Sequence, residues 1–316
     1  NVAVALTTLA PGTEVEGLTV SEVIPRGHKL ALAPVAKGGV LRKYAQVIGY
    51  AEHDITPGTH VHSDAVAFRA TDVEYEFSTD LRAAAPAAKT DHFMGFRREN
   101  GRVGTRNYVA IVTSVNCSAT AARRIAAHFT PERLADYPHV DGVVAYVHGT
   151  GCGMAGDGDG FEALQRVMWG FARHPNHAAV LMVGLGCEMN QIDWLLEAYG
   201  LAHGPLFQTM NIQNVAGLQR TVEAGIAKIE AMLPLADEAR RTPCPASEIR
   251  LALQCGGSDA WSGVTANPAL GHACDLLVEQ GGTGVLAETP EIYGAEHLLT
   301  RRAASRATGD KLVGLI

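Results

Sequence analysis

The pattern of hydrophobic and polar positions changes once along the chain, near residue 93. Up to about residue 75, short apolar runs are separated by the turn sequences PRG, KGG and PGT. Short strands with frequent turn residues between them are typical of a small all-β module. From about residue 93, apolar runs alternate with helical stretches, which is typical of an α/β domain built on a parallel sheet.

Apolar runs in the second region predict buried strands, and amphipathic stretches between them predict helices. The strand candidates are NYVAIVTSV, DGVVAYV, AAVLMVGLG, LFQTMNIQ, EIRLALQC and GTGVLAE. The helix candidates are ATAARRIAAHF, GFEALQRVMWGFARH, VAGLQRTVEAGIAKIEAML and NPALGHACDLLVEQ. We therefore predict an α/β protein with three parts: an all-β module over residues 1–75, an Ala/Pro-rich linker over 76–92, and a mostly parallel α/β sheet domain over 93–316, with helices on both faces of the sheet.

Composition argues against two classes of partner. The 316 residues carry a formal net charge of −7 and only 6% aromatic residues, and they contain no basic run, so we expect no nucleic-acid partner. No apolar stretch approaches the ~20 residues that span a bilayer, so we expect no membrane partner. The opening NVAVALTTLA lacks the basic start of a signal peptide. Six scattered cysteines favour a reducing compartment, so we expect a cytoplasmic protein.

Thiol, imidazole and carboxylate side chains follow five of the predicted strands. Since ligands bind parallel α/β sheets outside the carboxyl ends of the strands, we expect one shared cavity there. The residues expected to line it are His148, Cys152, Cys187, Glu188, Cys255 and Asp259. The alternative for each cysteine is a small buried hydrophobe, which we expect for Cys244 and Cys274. The glycine-rich GTGCGMAG leaves a phosphate-binding nest as a further alternative, although it lacks the Lys-Ser/Thr of a P-loop.

Three histidines of the β module predict a metal site. His60 and His62 alternate along a strand and so point to the same side. His28 follows a Pro-Arg-Gly turn, from which its ring can approach that pair. Three imidazoles that leave coordination positions open suit a catalytic divalent ion. A pair of histidines with no ligand role would have the same spacing.

Several longer sequences together resemble one family. GRVGTRNY, NCSAT, HGTGCG, GLGCE, QCGGSDAWSGVTANPALG and GGTGVLAETPEIYGAEH occur in this order, as in the altronate/galactarate dehydratase family of sugar-acid hydro-lyases. The N-terminal module resembles the SAF-type β-clip domain of these enzymes, including its GHK and HVH sequences. The resemblance covers essentially the whole chain. Because family members extend well beyond GDKLVGLI, we expect the C-terminal part of the family to be absent from this sequence.

The resemblance implies metal-dependent loss of water from a sugar acid, giving a 2-keto-3-deoxy acid. The substrate would be an altronate-like aldonate or a galactarate-like aldarate, and the metal Fe²⁺ or, alternatively, Mn²⁺. A base must remove the proton α to the carboxylate, and an acid must protonate the departing hydroxyl. We expect the six cavity residues to be catalytic, the three histidines to bind the metal, and Asn116, Ser258 and Glu288 to contact substrate. We also expect a homo-oligomer.

Arg102 and Arg106 are candidate anchors for the substrate carboxylate, because guanidinium binds carboxylate through two hydrogen bonds at once. The alternative is that these arginines attach the linker to the domain. Three functional alternatives also stand. One is a sulfolactate-type lyase of the same superfamily, and another is a non-catalytic sugar-acid-binding protein. The third is a dehydratase with an iron–sulfur cluster on Cys152, Cys187 and Cys255, one iron being open to substrate.

Overall fold

The computed structural model describes residues 1–69, 74–83, 85–215, 217–257 and 261–316. The chain forms two compact units. The first unit combines residues 1–89 with residues 249–316, and the second unit is residues 90–248. None of the helices in the part of the chain that the structure describes is long and apolar enough to cross a lipid bilayer.

The β module of the first unit contains short strands that pair antiparallel. They are β1 (Val2–Val4), β2 (Glu14–Val15), β3 (Leu18–Thr19), β4 (Lys29–Ala31), β5 (Val40–Lys43), β6 (Gln46–Ala51), β7 (His60–Val61) and β8 (Val66–Ala67). They form the sheets β1-β4-β7 and β5-β6-β8 and the hairpin β2-β3. The glycine of the PGT turn, Gly58, has a φ of +86°, and a Cβ there would collide with the carbonyl oxygen of Thr19. The predicted all-β module is confirmed.

The second unit contains a parallel sheet of four strands with helices between them. Its strands are β9 (His92–Arg97), β10 (Val103–Gly104), β11 (Tyr108–Thr113), β12 (Gly142–Tyr146), β13 (His177–Gly184), β14 (Phe207–Asn211) and β15 (Thr242–Pro245). Its helices are α1 (Ala119–His128), α2 (Asp159–Ala172), α3 (Ile192–Tyr199), α4 (Ile212–Val215) and α5 (Leu218–Asp237). The parallel sheet has the order β12-β11-β13-β14, and β10-β9-β15 form an antiparallel sheet.

Helices cover both faces of the parallel sheet, as the apolar pattern predicts. Alternate residues of a strand face opposite sides. Ile111 of β11 therefore packs with Ile125 of α1 and Ile229 of α5, whereas Val112 packs with Met168 of α2 on the other face. Burial of both faces explains why these strands are apolar throughout instead of alternating with polar residues.

The remainder of the first unit is a second, smaller α/β element. It contains β16 (Arg250–Leu253), α6 (Ala266–Glu279), β17 (Thr283–Leu286), α7 (Glu296–Thr300) and α8 (Arg306–Val313). All six predicted strands and all four predicted helices are present. However, β16 and β17 pair parallel in a separate two-stranded sheet and do not extend the four-stranded one. The chain leaves the larger sheet after α5, where β15 pairs antiparallel with β9.

Aromatic and charged contacts connect the β module to this C-terminal element within the first unit. The Arg26 guanidinium lies 5.4 Å from the centre of the Trp261 ring, and the rings of Phe68 and Tyr293 lie 5.6 Å apart. The Tyr75 hydroxyl donates a hydrogen bond of 2.8 Å to Glu296, and this bond raises the pKa of Tyr75. The turn before His28 and the residue Trp261 are therefore neighbours.

Candidate active site

The three histidines of the β module meet in the structure, and we call His28, His60 and His62 the histidine trio. His28 directly precedes β4, which pairs with β7, and the register sets Leu30 opposite His60. The Nδ1 atom of His28 lies 2.9 Å from Nε2 of His60. Ring centres are 5.3 Å apart for His60 and His62, and 5.5 Å apart for His28 and His62, which stack nearly parallel. Strand pairing thus joins residues that are more than thirty positions apart in sequence.

The surroundings of His60 favour the neutral form of its ring. Burial, followed by the charges that His28 and His62 can carry, lowers the pKa of His60. Glu22 accepts a hydrogen bond of 3.0 Å from the backbone N–H of His60. Imidazole binds metal only in its neutral form, so a lowered pKa suits a ligand role.

The histidine trio fits a divalent ion in part. Bonds of about 2.0–2.1 Å to adjacent coordination positions place two imidazole nitrogens roughly 3 Å apart, close to the His28–His60 distance of 2.9 Å. The same distance also fits a hydrogen bond between the two rings. Among the residues that the structure describes, no three His, Cys, Asp or Glu side chains already stand in a metal-holding arrangement. The His62 ring must turn to complete a site, so the metal role stays a prediction.

A cavity of about 420 Å³ adjoins the trio, and we call it the trio cavity. Its polar wall contains His28, His62, Ser63 and Lys29. Lys29 is a residue that the sequence did not single out, although the GHK sequence contains it. Its position follows from strand alternation: its neighbour Leu30 is fully buried in the module, so Lys29 faces the other side of β4.

In the second unit, reactive side chains gather at the carboxyl ends of β11, β12 and β13, a region we call the rim. Its members are Asn116, Cys117, His148, Cys152, Cys187 and Glu188. Because the three strands run parallel and are neighbours, the loops that follow them meet. The Asn116 N–H donates to the Thr150 carbonyl at 2.8 Å, and the Ser114 hydroxyl donates to Glu188 at 2.5 Å. The structure therefore brings these six residues together.

Thiols are the most exposed reactive groups of the rim. Cys117, Cys152 and Cys187 are all exposed to solvent. Desolvation raises the pKa of Cys117, and hydrogen bonding to Cys152 and the charge of Cys187 raise it further. The Gln213 side-chain amide donates to the Cys187 sulfur at 3.1 Å. Sequence reasoning left Cys117 out of the site, although its place directly after a predicted strand was a signal. Gln213 gave no sequence signal.

His148 is held by backbone groups on both of its ring nitrogens. Its Nε2 atom donates to the Thr113 carbonyl at 2.9 Å, and its Nδ1 atom accepts from the Thr150 N–H at 3.3 Å. The ring is therefore a neutral tautomer with its proton on Nε2. In this arrangement His148 connects the end of β11 to the HGTGCG loop, and it positions that loop.

Glu188 also holds a loop in place. Its side chain lies in the interior, with 2% of its surface exposed. Besides the Ser114 hydroxyl, the backbone N–H groups of Leu185 and Gly186 donate to it, at 3.2 and 2.6 Å. Gly184 leaves room for this carboxylate, because a Cβ there would lie 2.5 Å from Glu188 Oε1. Glu188 thereby fixes the turn that carries Cys187.

A second group of predicted residues lies at the carboxyl ends of β16 and β17 in the first unit. Glu288 accepts hydrogen bonds from the Cys255 N–H at 2.6 Å and from the Gln254 amide at 3.3 Å. Cys255 and Glu288 line a cavity of about 340 Å³ together with Asn267 and Glu291, which sequence reasoning missed. Ser258 and Asp259 lie outside the described residues.

The structure places the two arginines that were predicted to anchor the substrate away from the rim. Arg102 and Arg106 precede the first residue of β11, whereas the rim follows its last residue, so about six residues of strand, roughly 20 Å, separate them. Arg102 donates to the Arg173 carbonyl at 3.1 Å, and Arg106 lies 4.0 Å from Asp141. Both arginines fasten loops at the amino end of the sheet.

The single parallel sheet predicted for residues 93–316 is corrected, whereas the shared cavity of the six residues stays a prediction. Cys255 follows β16, which belongs to the separate two-stranded sheet. Within the second unit, the thiol that shares the rim with Cys152 and Cys187 is that of Cys117. Cys244 is fully buried, as expected for a structural cysteine, and Cys274 is half-buried.

Comparison with known proteins agrees with this division of the chain. The model for the altronate/galactarate dehydratase SAF domain matches residues 1–69. The model for the second domain of D-galactarate dehydratase/altronate hydrolase matches residues 95–237, and the model for the C-terminal part of D-galactarate/altronate dehydratase matches residues 246–316.

Curated relatives align along nearly the whole chain. The altronate dehydratases of Escherichia coli K12 and Bacillus subtilis 168 are 38% and 35% identical to all of this chain, which covers 64% and 63% of their lengths. The galactarate dehydratase (L-threo-forming) of E. coli K12 is 35% identical over 94% of this chain, which covers 58% of that protein. The chain thus spans slightly less than two thirds of these relatives. It belongs to the altronate/galactarate dehydratase family.

Proposed function

We propose that this protein is a metal-dependent hydro-lyase that removes water from a sugar acid and forms a 2-keto-3-deoxy acid. The substrate is an altronate-like aldonate or a galactarate-like aldarate. The observation that carries the proposal is the histidine trio: three imidazoles from two paired segments meet beside a cavity of about 420 Å³. The relatives over the same residues carry the names of dehydratases of both acids.

His28, His60 and His62 are the residues that would hold the metal. The 2.9 Å between Nδ1 of His28 and Nε2 of His60 suits two neighbouring ligands of one ion. When bound there, a divalent ion such as Fe²⁺ or Mn²⁺ supplies a Lewis acid that stabilises negative charge developing on the substrate carboxylate. The trio's own task is to leave coordination positions open toward the trio cavity.

Glu288, which belongs to the same unit as the histidine trio, is our candidate for the base of the proposed reaction. Each Glu288 oxygen accepts one hydrogen bond, and the half-buried carboxylate faces the cavity, so it retains lone pairs that can accept the α-proton. In the rim, both ring nitrogens of His148 are instead occupied by backbone groups, and Glu188 is buried and accepts three hydrogen bonds. We assign them the positioning of the loops that carry the rim thiols.

The direct experiment is a turnover assay with a panel of hydroxy acids, read as 2-keto acid formed. The panel contains D-altronate, galactarate, D-gluconate and a sulfolactate. We expect keto acid from altronate or galactarate, loss of activity after chelation, and recovery on adding Fe²⁺ or Mn²⁺. Sulfite release from sulfolactate alone would indicate a sulfo-lyase. Binding of a sugar acid without turnover in metal-loaded protein would indicate a binding protein.

A further inference from the structure

The wall of the trio cavity carries a lysine that forms no ion pair with a carboxylate among the residues that the structure describes. Lys29 lines the cavity with His28, His62 and Ser63, while Ile48, Val61 and Val66 form its apolar part. In the described part of the chain, Lys29 is absent from the ion pairs with carboxylates. The two acids near the trio contact its histidines: Glu22 accepts a hydrogen bond from the His60 backbone N–H, and Asp64 lies 3.9 Å from His62.

A second lysine reinforces this charge. Burial, followed by the positive charge of Lys29, lowers the pKa of Lys43, so the two ammonium groups repel each other. Lys43 contacts the Tyr44 ring at 5.0 Å and, like Lys29, has no ion pair with a carboxylate among the described residues. Two nearby cations without a counter-charge are unfavourable by themselves, and an anionic ligand relieves their repulsion.

The shape and the lining of the cavity restrict the kind of anion. A volume of about 420 Å³ lies within the range of small-molecule sites. A serine hydroxyl and two imidazoles offer hydrogen bonds to a polyhydroxy chain, and the ammonium group offers a charge-assisted bond to a carboxylate. A hydroxy acid satisfies both sets of groups, whereas an uncharged polyol leaves the lysines without a partner.

We propose that Lys29, supported by the charge of Lys43, binds the carboxylate of the sugar acid in the trio cavity. The identity of the ligand rests on the proposed function. The role that the sequence suggested for Arg102 and Arg106 thus falls to lysines of the β module. Lys29 places the acid end of the substrate beside the histidine trio.

The test is binding of D-altronate to the full chain, measured by calorimetry for wild type, Lys29→Met and Lys29→Arg. Methionine keeps the length of the side chain and removes its charge, and arginine keeps the charge. Loss of one charge-assisted hydrogen bond should raise the dissociation constant about 10- to 100-fold in Lys29→Met, with a smaller rise in Lys29→Arg. Altritol, the uncharged analogue, should bind wild type and Lys29→Met equally weakly.

Lys37→Met is the matched control, because Lys37 is an exposed lysine of the same module and does not line the trio cavity. It should bind D-altronate like wild type. Equal dissociation constants for Lys29→Met and Lys37→Met, with unfolding curves like wild type, would overturn the proposal. Inorganic phosphate that binds as tightly as altronate and is lost equally in Lys29→Met would also overturn it, in favour of a general anion site. Calorimetry reports on binding and the keto-acid assay reports on turnover, so failure of this proposal and failure of the proposed function are distinguishable.

Discussion

The Nδ1 atom of His28 and the Nε2 atom of His60 lie 2.9 Å apart, although thirty-two positions separate these residues in sequence. The antiparallel pairing of β4 with β7 produces this contact, because the register places Lys29 and Leu30 opposite Val61 and His60. A small β module thus presents a concentrated set of imidazoles next to a cavity. The proposed chemistry depends on that contact.

The first prediction concerns metal binding by the histidine trio. The double variant His60→Ala/His62→Ala should lose stoichiometric iron or manganese and at least about 100-fold of its dehydratase activity, since changes even in groups that support metal ligands cost 10–100-fold. Elemental analysis and the keto-acid assay measure the two effects. His53→Ala, an exposed histidine in the same module, is the control. Full metal content in the double variant would move the ion away from the trio.

The second prediction concerns Glu188. Glu188→Gln replaces a buried carboxylate that accepts three hydrogen bonds with an amide that has only one acceptor oxygen. Hydrogen bonds to charged groups contribute about 1.5–3 kcal/mol each, so we expect the free energy of unfolding to fall by at least about 2 kcal/mol. Urea denaturation measures the change. Glu197→Gln, on the exposed side of α3, should change it by less than about 0.5 kcal/mol.

The third prediction is a dependence of stability on pH that arises from His177. Burial lowers the pKa of this imidazole to about 4, and its ring is neutral, donating to the Phe171 carbonyl at 2.8 Å. An unfolded histidine has a pKa of about 6.5, so the unfolded chain takes up a proton first as the pH falls. The contribution is therefore present above pH ~6.5 and is lost between there and pH ~4.

Between pH 7 and pH 5, His177 should account for about 2 kcal/mol of the decrease in unfolding free energy. Urea titrations at the two pH values measure the decrease, which should be smaller by that amount in His177→Gln. His203→Gln, on an exposed loop of the second unit, should retain the pH dependence of wild type. An identical decrease in all three proteins would show that His177 is protonated in the folded state.

The fourth prediction distinguishes the cysteines by their exposure. In native protein, Cys117, Cys152 and Cys187 should react with iodoacetamide, because their thiols reach solvent. Cys244, which is fully buried, should react only after unfolding. Mass spectrometry of peptides from native and urea-treated protein measures the modification of each residue. Protection of the three rim thiols that disappears after chelator treatment would instead indicate a bound metal or cluster at the rim.

The fifth prediction follows from the position of Arg106 at the amino end of β11. Arg106→Lys should leave both KM and kcat for the sugar acid unchanged within about twofold, because Arg106 lies 4.0 Å from Asp141, a contact that lysine can also make, and the substrate carboxylate is assigned to Lys29. Steady-state kinetics with altronate measure both constants. A KM raised tenfold or more would restore Arg106 as a substrate anchor.

The sequence alone determined the local elements of this protein. Residues 109–112 and 178–183 are apolar at every position because helices cover both faces of their sheet, so the sequence alone indicates that these strands are buried. The alternation of His60 and His62 likewise predicted a shared side, since successive residues of a strand point in opposite directions. The reactive residues that follow the strands were found because ligands bind parallel α/β sheets outside the carboxyl ends of the strands.

Only the tertiary structure decided which of these elements are neighbours. A strand pattern records how deeply a segment is buried and not which strand it pairs with, so nothing local showed that β16 and β17 form a sheet of their own. Because of that pairing, Cys255 follows a strand of a different sheet from the one whose strands lead to Cys117, Cys152 and Cys187. Lys29 became a candidate for the same reason: its charge is evident in the sequence, but its cavity exists only because β4 and β7 pair in one register.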